Sequence, residues 1–532
     1  MTTDQPTTEK SLRKLTAQEF IDIITEVNKE KYAEFYQLNN HGNEHIVIKN
    51  VEILQEVRLT NKAPVNLPLV IESGTFGGNF LITDGIFNKN FRIRGGVFNQ
   101  PFRIRGGTFN QPFSVQGGIF NQAFDIQGGT FIRSFGVTGG TFNGNFGIDD
   151  GAFSQDFSIT GGTFNGDFYI FDGTFSRNFW VQDGTFSQNF LIQGGTFTGD
   201  FKIQSSTTIQ KLSIVGGAFE KEIELRGGYI YKLSIDYVTS ALRLRVLNDC
   251  QLTILAINAT LPKDSLLRIS GSLYCLTFED VHNFGTILLT GLSFREQPYV
   301  PKGVTLPDDK DRPESPQLQI INSDLGKTNF IDCDLSGFGL EFKSSKITDG
   351  FVTGTKMPNR IITPDYRQQQ LGYSQIKKIY ENRGDKVEAN RYYAREMDAY
   401  FTTLSWRNDL WEKFNLGLNK LSTDHGQNWQ RGLLTTFGVG GMFYAVYCWL
   451  LGFGPALPTE HGATARFGEV SSYFMEFINP IHKADYVAQE LLGEKAHVNG
   501  WARTIEGISR IFIAYFVYQL IQAFRKHGRS SS

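Results

Sequence analysis

Phenylalanine recurs every eleven residues through much of the first half of the chain, within the unit G-G-T-F-N-x-x-F-x-I-x. The two phenylalanines and the Ile or Val of this unit are separated by even numbers of residues, so all three share one face of an extended strand. Because eleven is odd, a turn must restore that face in each repeat. The Gly-Gly or Asp-Gly pair supplies the turn, since glycine accepts positive φ angles. The first phenylalanines of the twelve repeats are Phe76, Phe87, Phe98, Phe109, Phe120, Phe131, Phe142, Phe153, Phe164, Phe175, Phe186 and Phe197.

This pattern predicts a mainly β protein with internal ladders of phenylalanine rings. Two arrangements satisfy it: a parallel β-solenoid, or an antiparallel meander of hairpins with Asp-Gly turns. Both place neighbouring strands about 4.8 Å apart. The repeats hold 24 of the 46 phenylalanines, and burial of each ring contributes roughly 1.5 to 3 kcal/mol. That stabilisation favours an ordered β structure over a disordered Gly/Asn/Gln tract.

Helical patterns flank the β region. Thr16-Ala-Gln-Glu19 is a capping-box signature ahead of apolar residues at helical spacing, and it predicts a helix that caps the open edge of the solenoid. From about Tyr366, two helices are expected with a break near Gly384. A Pro- and Asp-rich insert, PYVPKGVTLPDDKDRPESPQ, reads as a loop. The predicted domains are an N-terminal helical cap (1–45), a β-solenoid of eleven-residue repeats (46–300), a linker with further coils (301–360), a helical linker (361–428) and a transmembrane hairpin (429–532).

Two apolar segments near the C-terminus predict membrane helices. The segment from Gly432 to Phe453 has 22 residues without a charge, enough to span a bilayer core of about 30 Å. The segment from Ile511 to Phe524 has 14 residues and needs the preceding turns to cross. Arg431 precedes the first span, and basic residues follow the second, so the positive-inside rule predicts that both ends are cytoplasmic and that Gly454 to about Gly500 faces outward. The basic residues after the second span are Arg525, Lys526 and Arg529.

The second span and the helical turns that precede it carry polar residues at helical spacing. Polar side chains at membrane depth usually face a bundle interior or water, which makes this set the candidate pore lining: Arg503, Glu506, Arg510, Tyr515, Gln519 and Gln522. The alternative is interfacial anchoring and helix pairing, which the glycines Gly438, Gly440 and Gly441 also favour. Between the spans, SSYFMEFINPIHK suits a re-entrant or interfacial segment. It lacks the T-x-G-Y-G filter of potassium channels, so strong ion selectivity is not expected.

Three five-residue units, SDLGK, TNFID and CDLSG, follow the insert, with Leu325, Phe330 and Leu335 as their central residues. They resemble the pentapeptide-repeat family, whose units coil into a right-handed quadrilateral β-helix, and this resemblance favours the solenoid. These units, the segment ANRYYAREMDAYF and two spans ending in QAFRKHGR resemble, in that order, bacterial pentapeptide-repeat membrane proteins with a channel-like C-terminal module. The resemblance covers about residues 320–528 and implies the bacterial inner membrane. The layout is also similar to that of anti-phage membrane effectors.

Four arginines occupy matched positions in FRIRGGVFNQPFRIRGG, and all four point outward from the strands. If consecutive repeats were adjacent strands, these guanidinium groups would lie together and repel one another. If 22 residues make one coil, the pairs lie on different faces and act as solvated charges that limit aggregation. The functional alternative is a site for an anionic ligand, such as a regulatory nucleotide or an oligonucleotide. Its candidate residues are Lys89, Arg92, Arg94, Arg103, Arg105 and Arg133.

Composition adds little to the choice of function. The formal net charge is −2, with 20% charged residues, so no general attraction to polyanions is expected. The four cysteines have no paired spacing, which disfavours a disulfide framework or a zinc site. No H-E-x-x-H, G-x-S-x-G or P-loop motif is present. The residues therefore favour a protein that is not an enzyme and that uses no cofactor.

These patterns predict a membrane-embedded homo-oligomer, such as a tetramer, that forms an ion channel or a pore-type effector. Its cytoplasmic β-solenoid would act as the sensor that gates the pore, plausibly in anti-phage defence. The alternative is a solenoid scaffold that is tethered to the lipid bilayer and binds a protein partner. An N-terminus without a secretory signal is consistent with a cytoplasmic solenoid.

Overall fold

The computed structural model describes residues 12–60, 64–238, 240–302, 304, 312–453, 468, 470–493 and 498–528. The predicted features at 1–11, 305–311, 454–467 and Arg529 lie outside the described residues. The chain divides into two compact units, Met1–Ile362 and Thr363–Ser532. The first unit is a β-solenoid of about 14 turns, and the second is helical, so the predicted mainly β fold is confirmed.

One coil of the solenoid takes 22 residues and therefore uses two eleven-residue repeats. In most repeats the first phenylalanine ends one short strand and the second begins the next, which gives a coil four strands; in Thr185–Gln193 two such strands are continuous. Phe91 pairs with Phe113, and Phe102 pairs with Phe124, in parallel register. Every strand pair among the repeats is parallel. The repeats therefore form a parallel β-solenoid and not an antiparallel meander.

The strands stack into one sheet of 21 strands, one of 15 and one of seven, with a further pair. The 21-stranded sheet consists of Arg13–Lys14, Val51–Ile53, Val57–Thr60, Gly74–Phe76, Phe80–Thr83, Val97–Phe98, Phe102–Arg105, Ile119–Phe120, Phe124–Gln127, Thr141–Phe142, Phe146–Asp149, Thr163–Phe164, Phe168–Phe171, Thr185–Gln193, Thr208–Val215, Tyr229–Asp236, Gln251–Asn258, Cys275–Glu279, Gln317–Ile321, Gly339–Lys343 and Arg360–Ile361. The 15-stranded sheet consists of Tyr36–Leu38, Glu44–Ile48, Leu69–Ile71, Phe91–Ile93, Phe113–Val115, Phe135–Val137, Phe157–Ile159, Phe179–Gln182, Phe201–Gln204, Ile223–Arg226, Arg243–Val246, Leu266–Leu273, Thr286–Phe294, Lys327–Ile331 and Asp349–Thr353. The seven-stranded sheet consists of Ile86–Phe87, Thr108–Phe109, Thr130–Phe131, Ala152–Phe153, Thr174–Phe175, Thr196–Phe197 and Ala218–Phe219, and the pair consists of Thr260–Leu261 and His282–Asn283.

Four phenylalanine ladders run along the inside of the repeats. In the ladder that contains Phe124, the ring stacks at 4.8 Å on Phe102 below and at 4.8 Å on Phe146 above. The ring also meets Phe120 of its own coil edge-on at 5.2 Å. These spacings match the distance between adjacent parallel strands, so each coil adds one ring to every ladder.

Glycine is required at the corners because successive coils approach each other there. Gly107 has a φ of +96°, and a Cβ atom at this position would lie 2.6 Å from the carbonyl oxygen of Gly85 in the preceding coil. A larger residue would therefore separate the two coils at that corner. This explains why the Gly-Gly and Asp-Gly pairs recur with the same period as the rings.

Both ends of the solenoid follow the predicted pattern in part. Helix α1, Ala17–Ile24, has the predicted capping box between Thr16 and Glu19, and its Phe20 packs edge-on against Phe76 and Phe80. The solenoid continues past the predicted insert, because Cys275–Glu279 pairs directly with Gln317–Ile321. The central residues of the three five-residue units are buried inside the last coils: Leu325, Phe330 and Leu335.

The helical unit begins with the two predicted helices, α2 (Tyr366–Arg383) and α3 (Lys386–Thr403), which are separated by Gly384 in the left-handed conformation. They pack as a hairpin, with Tyr380 stacked on Tyr392 at 5.6 Å. Helices that follow within the described residues include α4 (Leu410–Thr423), α5 (Trp429–Leu450), α6 (Phe474–Ile478), α7 (Tyr486–Leu492) and α8 (Gly500–Gly528).

Candidate functional site

Helices α5 and α8 form an antiparallel hairpin. Trp429 at the start of α5 stacks on Phe524 near the end of α8 at 5.1 Å, and Phe443 meets Phe512 at 5.7 Å. Both helices are long and apolar enough to cross a membrane, yet only 28% and 22% of their most apolar windows are buried. A core helix of a soluble protein would be mostly buried, so the hairpin presents apolar surface that needs a non-aqueous environment or other subunits.

The short helix α6 packs against the middle of α5. Phe474 contacts Phe437 and Tyr444 with ring centroids 6.4 and 5.5 Å apart. Before α6, the carbonyl of Val470 accepts a hydrogen bond from Tyr444. After it, His482 lies beside Glu506 of α8. The segment 470–485 therefore runs along α5 towards its middle and returns, and its re-entry into a membrane stays a prediction.

A single glycine makes this packing possible. A Cβ atom on Gly440 would lie 2.9 Å from Cγ1 of Ile478 in α6. A Cβ atom on Gly438, half a turn away on α5, would have no atom from outside α5 within 4 Å. Gly440 is the twelfth residue of α5, about 17 Å along its axis from Trp429 at 1.5 Å per residue. Helix α6 therefore reaches roughly half the length of α5.

A polar network holds the returning chain to α8. The carboxylate of Glu506 is 3% exposed and accepts hydrogen bonds from Arg510 at 2.6 Å and from His482 Nε2 at 3.0 Å. Tyr447 of α5 donates to the same carboxylate at 3.5 Å. One turn earlier, Arg503 pairs with Asp485 at 2.9 Å. Such pairing offsets the cost of placing charges near the apolar part of a membrane helix.

The candidate pore-lining residues fall into two groups. Arg503, Glu506 and Arg510 share one face of α8, and that face binds the returning chain between His482 and Asp485. In the second group, Tyr515 donates to Asn415 of α4 at 2.9 Å, Gln522 donates to Tyr518 at 2.8 Å, and Gln519 is half-buried. Within one subunit, the first group and Tyr515 bind other parts of the chain, Gln522 binds within α8, and the role of all six residues in lining a pore stays a prediction.

Sequence reasoning missed the amphipathic helix α4. Leu410, Trp411, Phe414 and Leu421 follow helical spacing and are exposed, Trp411 by 79%. The opposite face packs on the hairpin of α5 and α8, where Thr423 lies against Gly432. The spacing of these apolar residues was the available signal.

A polar joint connects α3, α4 and the start of α5. Asp398 accepts hydrogen bonds from Lys420 at 2.7 Å and from His425 at 3.2 Å. Burial of Asp398 acts to raise its pKa, but the bonds from His425 and Lys420 outweigh burial and hold that pKa below its ordinary value. His425 is fully buried and has a positive φ. It therefore fixes the loop before α5, in agreement with the loop predicted at Asp424-His425.

The arginines of the solenoid lie on two faces. Arg92 lies in strand Phe91–Ile93 of the 15-stranded sheet and Arg94 follows that strand directly, whereas Arg103 and Arg105 lie in strand Phe102–Arg105 of the 21-stranded sheet. The predicted alternative in which all four gather on adjacent strands is therefore wrong, because adjacent strands are 22 residues apart.

Three of these guanidinium groups have partners in neighbouring coils. Arg94 lies 3.5 Å from Glu72, and Arg105 donates to Gln127 at 3.1 Å. Arg103 donates to Asp125 at 3.1 Å, and Asp125 also accepts from Tyr169 two coils further on. Burial, followed by the nearby charge of Asp125, raises the pKa of Tyr169 to about 12.

Lys89 and Arg133 are exposed side chains that each follow a first phenylalanine by two residues. Their separation of 44 residues places them at the same corner, two coils apart. Anion binding by any of the six cations stays a prediction. Among the described residues, no group of three or more His, Cys, Asp or Glu side chains is placed to hold a metal ion.

The chain is thus a β-solenoid protein that carries two helices long and apolar enough to cross a membrane. No protein-family model, no curated protein and no solved structure matches it. The resemblance to pentapeptide-repeat membrane proteins and to anti-phage effectors therefore stays a prediction.

Proposed function

We propose that this chain is one subunit of a homo-oligomeric membrane channel, or pore-type effector, whose opening is governed by its cytoplasmic β-solenoid. The hairpin of α5 and α8 spans the bilayer in this proposal, with Arg431 and Lys526 on the cytoplasmic side. Release of such a pore would depolarise the cell, which is the action expected of an anti-phage effector.

The observation that carries the proposal is the packing of α6 against the middle of α5. A hairpin that only anchored a protein would need a short external loop. Instead, the segment 470–485 returns to the depth of Gly440 and is bound to α8 through Glu506. Irregular backbone at membrane depth is tolerated where protein buries it or where it lines a water-filled cavity. A re-entrant segment therefore fits the wall of a pore better than an anchor.

A second consideration supports an oligomer. Two membrane helices and one short helix do not enclose a channel in one subunit. Most of the apolar surface of α5 and α8 is free in the subunit, and closed symmetric rings are a common way for such surfaces to associate. The polar face of α8 would then approach the axis of the ring.

The test is ion flux from liposomes that contain the full chain, compared between two substitutions in α5. Gly440→Ile places a side chain where Ile478 packs, whereas Gly438→Ile points into open space. We expect Gly440→Ile to change flux by tenfold or more and Gly438→Ile to leave it near the native value.

Absence of flux from the native chain under every condition tried, combined with capture of a protein by the solenoid, would favour the tethered scaffold. Equal flux from both variants would contradict a role for α6 in the pore. Both substitutions add the same side chain to the same helix, so a general effect on membrane insertion would affect both.

A further inference from the structure

A small cavity of about 260 Å³ lies in the helical unit, where the end of α8 meets α2 and the start of α3. It is lined by one carboxylate, Glu381, and by three cationic side chains, together with the polar side chains of Asn390 and Gln522. The three cations are Lys386, Arg525 and Lys526. The lining therefore has an excess of two positive charges.

In the described part of the chain, no carboxylate lies close enough to these cations to form an ion pair. Lys526 donates to the carbonyl of His425 at 3.0 Å and lies over the ring of Tyr393 at 4.6 Å, contacts that fix the ammonium group without neutralising it. The carboxylate of Asp385, which directly precedes Lys386, accepts a hydrogen bond from the backbone N–H of Glu388.

Helix α8 carries exposed apolar side chains next to these cations. Ile521 and Phe524 are each 46% exposed, and Phe524 directly precedes Arg525. A molecule with an anionic head and an apolar tail would place the head among the cations and the tail along these two side chains. A phosphate group is the anion that such a set of Arg and Lys donors suits best.

We propose that this cavity is a binding site for a phosphate group, and that the phosphate belongs to the headgroup of an anionic phospholipid. The lipid assignment rests on the proposed membrane insertion of α8, whereas the phosphate chemistry does not. Because the site joins α8 to α2 and α3, its occupancy would stabilise the packing of the helical linker on the second membrane helix.

The test uses the full chain in a neutral detergent and native mass spectrometry to count bound lipid. Phosphatidic acid and phosphatidylcholine are the probes, and inorganic phosphate is titrated separately by calorimetry. The site variant is Lys386→Gln with Arg525→Gln, both exposed positions. The matched control is Lys378→Gln with Arg407→Gln, which removes the same charge from exposed positions outside the cavity.

We expect the native chain to retain phosphatidic acid in preference to phosphatidylcholine. The affinity for phosphatidic acid should be about tenfold or more lower in the site variant, because hydrogen bonds to a charged group are lost. The control variant should bind phosphatidic acid as the native chain does. Equal losses in both variants, or no preference for phosphatidic acid together with no binding of inorganic phosphate, would overturn the site. Binding of inorganic phosphate alone, lost only in the site variant, would overturn the lipid as occupant and leave a phosphate site. Lipid retention is measured without ion flux, so a chain that binds lipid but does not conduct would refute the channel and not this site.

Discussion

Replacement of Phe124 by alanine tests whether the phenylalanine ladders hold the solenoid together coil by coil. The ring is fully buried, stacks on Phe102 and Phe146 at 4.8 Å each, and has no route to solvent through which the cavity could fill. A Phe→Ala change in such a core costs about 3 to 5 kcal/mol. Because repeats of a solenoid contact only their neighbours, the loss should concentrate in the coils on either side.

Hydrogen exchange followed by mass spectrometry on the full chain measures this loss locally. A decrease of 3 to 5 kcal/mol corresponds to opening that is roughly 10² to 10⁴ times more frequent. We expect this acceleration in peptides around Phe102, Phe124 and Phe146, with little change around Phe219. The control is Ile119→Ala in the neighbouring strand, where the side chain is 42% exposed and the expected cost is below about 0.5 kcal/mol.

Two results would refute this reasoning. Equal acceleration in every coil would mean that the solenoid opens as one unit, so that nearest-neighbour stacking does not describe its stability. Similar effects from Phe124→Ala and Ile119→Ala would mean that the ladder contributes no more than an exposed side chain.

Three further predictions concern other parts of the chain. Gly147→Ala should lower the midpoint of thermal unfolding, because the new Cβ would lie 2.3 Å from the ring of Tyr169 and overpacking costs about 1 to 3 kcal/mol. The control Gly136→Ala, whose Cβ would lie 3.4 Å from its nearest atom, should leave the midpoint unchanged. Equal shifts of the midpoint in both variants would contradict the clash with Tyr169. The pKa of Asp398 is lowered in the folded state, so its contribution to stability is present above the unfolded value of 3.8 and is lost as the pH falls through the folded pKa. Asp398→Asn should remove this contribution, which is measured as the midpoint of thermal unfolding at a series of decreasing pH values. If the midpoint falls with pH in the variant as it does in the native chain, Asp398 is not the source of the acid dependence. Reporters inserted after Gly493 and fused after Ser532 should report opposite sides of the membrane, and the same side for both would exclude the hairpin topology.

The inward face of each repeat could be predicted from the sequence because it depends only on local spacing. Phe76 and Phe80 must share a face of a strand whatever that strand pairs with. The pairing partner is different, since a ladder of rings forms equally in a parallel solenoid and in a meander. The choice between these two arrangements depends on whether a coil closes after 22 residues. The pairing of Phe91 with Phe113 shows this closure, and it is visible only in the folded chain.

The candidate site was less predictable because its polar contacts are not local. Helical spacing placed Glu506 and Arg510 on one face correctly, but it gave no sign that His482, 24 residues earlier, completes the network. The amphipathic helix α4 was missed for another reason. Its apolar residues around Trp411 alternate with Lys and Asn, and the stretch lies just before a much stronger apolar segment.

The solenoid also changes how clusters of charge in the sequence should be interpreted. Residues eleven apart, such as Arg94 and Arg105, lie on different faces, whereas residues 22 apart lie side by side. Arg94 accordingly meets Glu72 on one side and Gln116 on the other, and its charge is partly neutralised within the wall. An anionic ligand of this surface would contact a row of residues at intervals of 22, one from each coil, and not a contiguous stretch of sequence. The search for a ligand of the solenoid should therefore follow such rows, since Arg94 and Arg105, at the same position of consecutive repeats, share neither a face nor a partner.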